Sequence, residues 1–185
     1  MKQKEIIPKI EELLRNGLTK EQIFGELGGT DDIARSISST PYYEKRAEYK
    51  TLNVILASMI FYYAIVNTCI SGLSFISAGH PIYLFPLIFF VPICAVIFGV
   101  GILKFRGNFY LPAGLLGISV FVKSLGPEMA DFNILLWVIW SAINIPLLIA
   151  IFVSFNLKKK LCPGLGFLGA KTNKSGSYIF LKETG

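Results

Sequence analysis

The sequence predicts an all-α fold, a four-helix transmembrane bundle with a small N-terminal cytoplasmic helical domain. Hydrophobic residues make up 53% of the 185 residues and charged residues only 16%, whereas soluble domains carry about 25% charged residues. The charged residues are concentrated outside four long apolar stretches. The first fifty residues show helical periodicity and capping signals instead of the alternation typical of strands.

Four apolar stretches approach or reach the length that crosses a bilayer, about 20 residues at a rise of about 1.5 Å each. They are 52–76, 82–103, 109–125 and 134–155. The third is the shortest and carries Lys123 near its end, where a long side chain can reach the headgroups. We therefore expect a transmembrane region over 52–157. Because some fifty polar residues precede it, we expect no cleavable signal peptide.

The basic residues beside these stretches predict their orientation. Residues 1–50 hold nine basic and nine acidic residues, so the net charge of +6 comes from the remainder. Basic residues precede the first span, follow the second and follow the fourth: Lys45, Arg46, Lys50, Lys104, Arg106, Lys158, Lys159 and Lys160. Since basic flanks stay in the cytoplasm, we expect a multi-pass protein of the cell (inner) membrane with both termini cytoplasmic. Lys123 is the exception, because it falls on the outer side.

Two asparagines are the strongest polar groups inside the predicted spans, Asn67 in the first and Asn144 in the fourth. Each could form an interhelical hydrogen bond, worth about 0.6–2 kcal/mol, or line a polar cavity. No ionisable side chain lies well inside any span. This argues against a proton-coupled transporter, which needs a titratable group at membrane depth.

Residues 1–41 are predicted to form a three-helix head, followed by a juxtamembrane helix over 42–51. Pro8 suits the first turn of a helix, Thr19 and Gln22 form a capping-box pattern, and Thr30 caps a third helix. Apolar residues recur at helical spacing, namely Ile6, Ile7, Ile10, Leu13, Leu14, Ile23, Phe24, Leu27, Ile33, Ala34 and Ile37. Forty residues make a marginal core, so we expect the head to need the membrane, a partner or another copy.

The segment 16–37, NGLTKEQIFGELGGTDDIARSI, resembles the HAAS-type helical signalling domain. Such domains precede several spanning helices in bacterial membrane proteins. The family pattern is a Gly, a Ser/Thr helix start with acids, then Leu-Gly, then Ile-Ala. This chain departs from it at Gly29 and Thr30, where the family usually has Asp-Pro. The resemblance implies a bacterial inner-membrane protein in regulation or envelope physiology, and it brings no catalytic residues.

Two motifs suggest nucleic-acid or nucleotide binding, and their context argues against both. The head also resembles a DNA-binding helix-turn-helix, but the second helix of that motif begins with Asp31 and Asp32 and offers only Arg35. Phosphate contact requires several basic residues, so nucleic acid is an unlikely partner. The stretch 164–169 matches G-x-G-x-x-G, yet a dinucleotide fingerprint follows a strand and opens a helix. This one follows an apolar helix near the end of the chain.

The last segment, 158–185, is predicted to be a basic cytoplasmic tail. Lys158, Lys159 and Lys160 are candidates for contact with anionic lipid headgroups, at about 1 kcal/mol per basic residue. Phe167 and Leu168 are expected to reach the headgroup layer beside them, and the sequence permits a short strand over 178–181.

These patterns give two functional hypotheses. The three cysteines have no spacing that suits zinc or a disulfide framework, and we expect no catalytic site, cofactor or metal. The first hypothesis is a non-enzymatic signalling, regulatory or envelope accessory protein whose head meets a cytoplasmic protein partner. The alternative is a small oligomeric channel or transporter subunit. An intramembrane enzyme would need a nucleophile with a base or a metal, and the sequence offers no such set.

Overall fold

The computed structural model describes residues 3–77, 90–125, 134–167, 169–173 and 175–180. Within these residues the fold is all-α, as predicted, and contains no β-strand. A 3-10 turn over Gly107–Phe109 joins the sixth and seventh helices. The helices are α1 Gln3–Arg15, α2 Lys20–Glu26, α3 Asp31–Ser38, α4 Tyr43–Glu48, α5 Lys50–Ser77, α6 Phe90–Leu103, α7 Tyr110–Lys123 and α8 Ile134–Leu161.

The head consists of α1, α2 and α3 packed around one apolar core. The buried core residues come from the predicted apolar faces: Ile6, Ile10, Leu14, Ile23, Ile33 and Ile37. The predicted capping box of α2 is confirmed, because Thr19 Oγ1 accepts from the Gln22 N–H and Gln22 Oε1 accepts from the Thr19 N–H. Thr30 is the N-cap of α3 by position, but its side chain makes no capping hydrogen bond there.

Two local expectations are wrong, one about the head and one about the juxtamembrane helix. Helix α1 begins at Gln3, so Pro8 lies inside the helix instead of in its first turn. A proline there removes one helical hydrogen bond because it has no N–H. The juxtamembrane helix is also interrupted. Helix α4 ends at Glu48, and Tyr49, with φ −98° and ψ 11°, separates it from α5.

The four longer helices, α5 to α8, form a bundle in which neighbours in sequence are not always neighbours in space. Helix α5 packs against α6 and α8, and α8 packs against α7, whereas α6 and α7 meet mainly at the turn that joins them. Glycines permit close approach of α7 to α8. A Cβ at Gly117 would lie 2.6 Å from Ile151 Cγ1, and one at Gly114 would lie 2.9 Å from Phe155 Cε2.

By length and composition, two helices could cross a membrane, Lys50–Ser77 and Trp137–Leu161. Two shorter apolar helices, Pro92–Leu103 and Gly107–Val122, accompany them. Residues 82–89 of the predicted second span lie outside the described residues. The 14 residues of α7 extend about 21 Å, less than a hydrocarbon core of about 30 Å. Large apolar side chains such as Ile65 and Phe152 are exposed on the outer faces of α5 and α8.

The tail turns back from α8 to the head. Antiparallel bridges pair Leu165 with Ala170 and Thr172 with Tyr178, but they do not extend into a strand among the described residues. The tail then reaches α2, where the ring of Phe24 lies 5.3 Å from the rings of both Tyr178 and Phe180. Phe180 packs against the head core, so the tail contributes to a core that the head alone leaves small.

Candidate functional site at the head–bundle junction

Three distant segments meet where the head contacts the bundle. The Gly107 N–H donates to the Ser39 carbonyl oxygen at 2.8 Å, and the Cys162 thiol lies 3.6 Å from the same oxygen. A Cβ at Gly107 would lie 2.5 Å from Cys162 Sγ and 2.9 Å from the Ser39 oxygen. Only glycine therefore fits this position without displacing a neighbour. We call Ser39, Gly107 and Cys162 the head–bundle junction.

At the end of α3, which enters the junction, two hydroxyl groups are paired locally, whereas the buried Ser38 Oγ has no hydrogen-bond partner among the described residues. Ser39 Oγ and Thr40 Oγ1 both donate to the Ser36 carbonyl, at 3.0 and 2.8 Å. All three residues are buried. Because buried polar groups cost free energy unless they are bonded, this local pairing lowers the cost of burying Ser39 and Thr40 at the junction.

A buried hydrogen-bond network lies directly behind the junction and connects all four bundle helices. Asn53 Nδ2 donates to the Ile102 carbonyl, and the Tyr110 hydroxyl donates to Asn53 Oδ1, both at 2.6 Å. The Ser154 hydroxyl donates to the Tyr110 carbonyl. Asn53 is 1% exposed, and Tyr110 and Ser154 are completely buried. We call these residues the Asn53 network, and it fixes the relative positions of α5, α6, α7 and α8.

A basic pocket of about 220 Å³ separates α1 from the turn between α6 and α7. Arg46 bridges its wall, since Arg46 Nη1 lies 2.9 Å from Glu11 Oε1 and its Nε donates to the Pro41 carbonyl at 3.2 Å. Lys104 and Arg106 line the same pocket. Their side chains are exposed and form no ion pair with any residue that the structure describes.

The tail adds one polar contact to the head. The Tyr178 hydroxyl donates to Asp31 Oδ1 at the start of α3. This hydrogen bond to the carboxylate stabilises the protonated phenol and raises the pKa of Tyr178. The contact lies beside the aromatic packing of Phe24. It joins the tail to the start of α3, whereas the junction lies at the end of α3.

Of the two predicted intramembrane asparagines, Asn144 has defined partners. Asn144 is 3% exposed. Its Oδ1 accepts from Ser124 Oγ at 2.8 Å and its Nδ2 donates to the Trp140 carbonyl at 2.9 Å. The contact with Ser124 links α8 to the end of α7. Asn67 is half-buried, and its side chain makes no hydrogen bond with a residue inside the described ranges.

The three predicted headgroup lysines lie in the last turn of α8. Lys159 is exposed, whereas Lys158 and Lys160 are half-buried. None of the three lines the basic pocket, which is lined by Lys104 and Arg106 instead.

The glycine-rich loop that follows α8 is held by hydrogen bonds within the loop. The Gly166 N–H donates to the Gly169 carbonyl, and the Lys171 N–H donates to the Gly164 carbonyl. Phe167 is 71% exposed, Leu168 lies outside the described residues, and contact of either with lipid headgroups stays a prediction.

The sequence reasoning missed the junction and the Asn53 network. Asn53 had a usable signal, because it lies three and four residues before Leu56 and Ala57, which are buried on the same helix face. No local pattern marks Gly107 or Cys162. Within the described ranges, no group of three His, Cys, Asp or Glu residues is arranged to hold a metal ion.

No protein-family model matches the chain, and no curated protein or solved structure matches it either. The HAAS resemblance of residues 16–37 therefore stays a prediction from the sequence. The two apolar helices of spanning length and the head–bundle junction are the observations from which a function can be proposed.

Proposed function

We propose that this chain is a non-enzymatic signalling or regulatory protein of a bacterial inner membrane. It crosses the membrane four times, with both termini in the cytoplasm. Support comes from the two helices of spanning length and their exposed apolar faces. The basic residues Lys104, Arg106 and Lys159 all lie at the end of the bundle where the head docks, which agrees with a cytoplasmic head.

The observation that carries the proposal is the shared Ser39 carbonyl of the head–bundle junction. This oxygen belongs to the end of α3, and its contacts belong to the turn before α7 and the residue after α8. A shift of α7 relative to α8 must therefore change these contacts or move the head. Packed interfaces convert small shifts into discrete changes of position, so the junction is suited to couple the bundle to the head.

Through this coupling, a movement in the bundle would change how a cytoplasmic protein partner binds the exposed face of the head. The outer positions of α2 and α3 include Glu21, Glu26, Asp32 and Arg35, all exposed. The same exposed face could instead bind a second copy of the chain, which would give a homo-oligomer. Both copies would then lie in the same lipid bilayer.

The alternative, a channel or transporter subunit, gains no specific support from the described residues. The cavity between the bundle helices is lined by apolar side chains, and Asn144 is occupied by Ser124 and Trp140. A conducting path would need polar groups directed into a water-filled passage.

Gly107→Ala tests the coupling in the full-length protein reconstituted into nanodiscs. The added methyl group overpacks the junction, which costs about 1–3 kcal/mol. We therefore expect amide hydrogen exchange in α3 to accelerate at least about fivefold. Capture of a cytoplasmic partner by chemical crosslinking should weaken in parallel.

Gly72→Ala is the matched control, because a Cβ there would meet no atom of the described residues within 4 Å. It should leave exchange in α3 unchanged. Equal exchange in α3 for wild type and Gly107→Ala would contradict the coupling. Loss of residues 1–38 with no change in crosslinked partners would contradict the signalling role of the head.

A further inference from the structure

An apolar cavity of about 210 Å³ lies between the four bundle helices. Each helix contributes to its lining, for example through Leu56 of α5, Phe98 of α6, Leu116 of α7 and Ile151 of α8. A cavity of about 150 Å³ with a similar lining remains dry and binds a six-carbon ring. On that scale the cavity accepts about eight carbon atoms of an apolar chain.

The cavity lies between α6 and α7, which, among the residues that the structure describes, meet mainly at the turn that joins them. The close helix pairs are α5 with α6, α5 with α8 and α7 with α8. The gap that remains is between α6 and α7. In a bilayer this gap faces lipid. An acyl chain can therefore enter the cavity from the side and need not cross a polar surface.

The basic pocket lies next to this cavity, towards the head. Phe109 lines the basic pocket, and its ring centroid is 5.9 Å from that of Phe98, which lines the apolar cavity. The Phe109 ring also lies against Gly101, where a Cβ would collide with it. From Phe98 to Lys104 along α6 the rise is about 9 Å. A single amphiphilic molecule can therefore reach both spaces.

The charges of the basic pocket select the headgroup. Glu11 is paired with Arg46, so the carboxylate does not neutralise Lys104 or Arg106. Two positive charges remain beside Phe105 and Asn108, both of which line the pocket. A zwitterionic headgroup would bring its own cation into this field, whereas an anionic headgroup gains from both residues.

We propose that this composite space is a binding site for an anionic phospholipid. About eight carbon atoms of one acyl chain occupy the apolar cavity, the rest of that chain extends through the gap between α6 and α7 into the bilayer, and the phosphate lies against Lys104 and Arg106. The inference rests on the proposed placement of the bundle in a membrane. The proposed lipid would also lie next to the head–bundle junction, because the turn that carries Lys104 and Arg106 continues into Gly107. Lipid binding at this turn would then set the position of the head.

Photolabelling of the full-length protein in phosphatidylcholine vesicles tests the site. The probe is phosphatidylglycerol with a photoactivatable group midway along one acyl chain, and labelled residues are identified by peptide mass spectrometry. We expect labelling to concentrate on cavity residues such as Phe98 and Leu116. Unlabelled phosphatidylglycerol should compete, whereas phosphatidylcholine and soluble glycerol phosphate should not. If glycerol phosphate competed as well as phosphatidylglycerol, the acyl chain would not be required for binding, and the proposed site would be overturned.

The charge arm compares two pairs of substitutions. Lys104→Gln with Arg106→Gln should reduce cavity labelling by about 25-fold, at about fivefold per cation. Lys50→Gln with Lys159→Gln removes the same charge from exposed positions at the ends of α5 and α8 and should change labelling little. Equal losses for the two pairs would show general attraction to basic flanks and overturn the site.

The cavity arm uses Leu116→Trp, which fills the cavity from a half-exposed position, and Leu115→Trp as its neighbour outside the cavity lining. Labelling at Phe98 should fall only in the first. Labelling spread evenly over outward residues such as Ile65 and Phe152, in protein that resists alkaline extraction from the vesicles, would overturn the site alone. Protein released by alkaline extraction would overturn the membrane placement instead.

Discussion

Asn53 shows how one polar side chain can define the arrangement of a helix bundle. Its amide group has a donor and an acceptor, and both are used at 2.6 Å, by Ile102 of α6 and Tyr110 of α7. An apolar residue at this position would tolerate sliding or rotation of α5. A buried amide does not, because any other register leaves it unpaired.

Tyr110→Phe should destabilise the protein by about 1–3 kcal/mol, because it leaves Asn53 Oδ1 buried without a donor. Thermal unfolding in detergent measures the effect. Tyr62→Phe is the control: Tyr62 is 43% exposed and its hydroxyl lies 3.4 Å from the Ala142 carbonyl. It should change stability by less than about 0.5 kcal/mol. Equal losses in the two variants would argue against a special role for the Asn53 network.

The backbone of Phe105 has a strained conformation that no sequence pattern predicted. Its φ is +53°, in the left-handed region that costs a non-glycine residue about 1–2 kcal/mol. The Phe105 N–H donates to the Ile102 carbonyl and the Arg106 N–H to that of Gly101. This is the Schellman pattern that ends a helix, in which glycine is the usual residue. The ring of Phe105 packs against the bundle core, and this packing offsets the strain.

At the scale of elements, the three head helices were the most predictable part of the fold. The capping box at Thr19 and the apolar spacing of α1 and α3 are local signals, and local signals suffice for short helices. The return of the tail was not predictable. Tyr178 and Phe180 reach Phe24 across some 150 residues of chain, and no periodicity links the two segments.

Phe180→Ala tests whether the tail completes the head core. Phe180 is half-buried, so we expect a loss of about 1–2 kcal/mol, below the 3–5 kcal/mol of a fully buried phenylalanine. Hydrogen exchange in α2 should accelerate accordingly in the full-length protein. Tyr178→Phe keeps its ring against Phe24 and removes only the exposed hydrogen bond to Asp31 of α3, so exchange in α2 should stay near wild type. An unchanged rate in Phe180→Ala would mean that the head core does not depend on the tail.

At the scale of the whole molecule, the sequence predicted an all-α chain and long apolar stretches at 52–76 and 134–155, because length and hydropathy can be read from local sequence. The structure has helices of spanning length at Lys50–Ser77 and Trp137–Leu161. The sequence did not predict which helices pack together. The pairing of α5 with α8, and the gap between α6 and α7, depend on contacts between residues far apart in sequence. The junction has the same origin, since Ser39 and Cys162 are 123 positions apart.

The coupling between head and bundle requires that the turn before α7, the tail and the head share one side of the membrane. The first two meet the head directly, through Gly107 and Tyr178. In the proposed four-span arrangement, the turn between the third and fourth predicted spans lies on the other side. This arrangement is the central claim, and it depends on an even number of crossings.

Thiol accessibility in intact cells tests this claim most directly. In a chain whose three cysteines are replaced by alanine, single cysteines are introduced as Asn108→Cys, Glu128→Cys and Ser175→Cys and exposed to a membrane-impermeant maleimide. We expect Glu128→Cys to react in intact cells, and Asn108→Cys and Ser175→Cys to react only after the membrane is permeabilised. Reaction of Asn108→Cys in intact cells, or protection of Glu128→Cys until permeabilisation, would contradict the account.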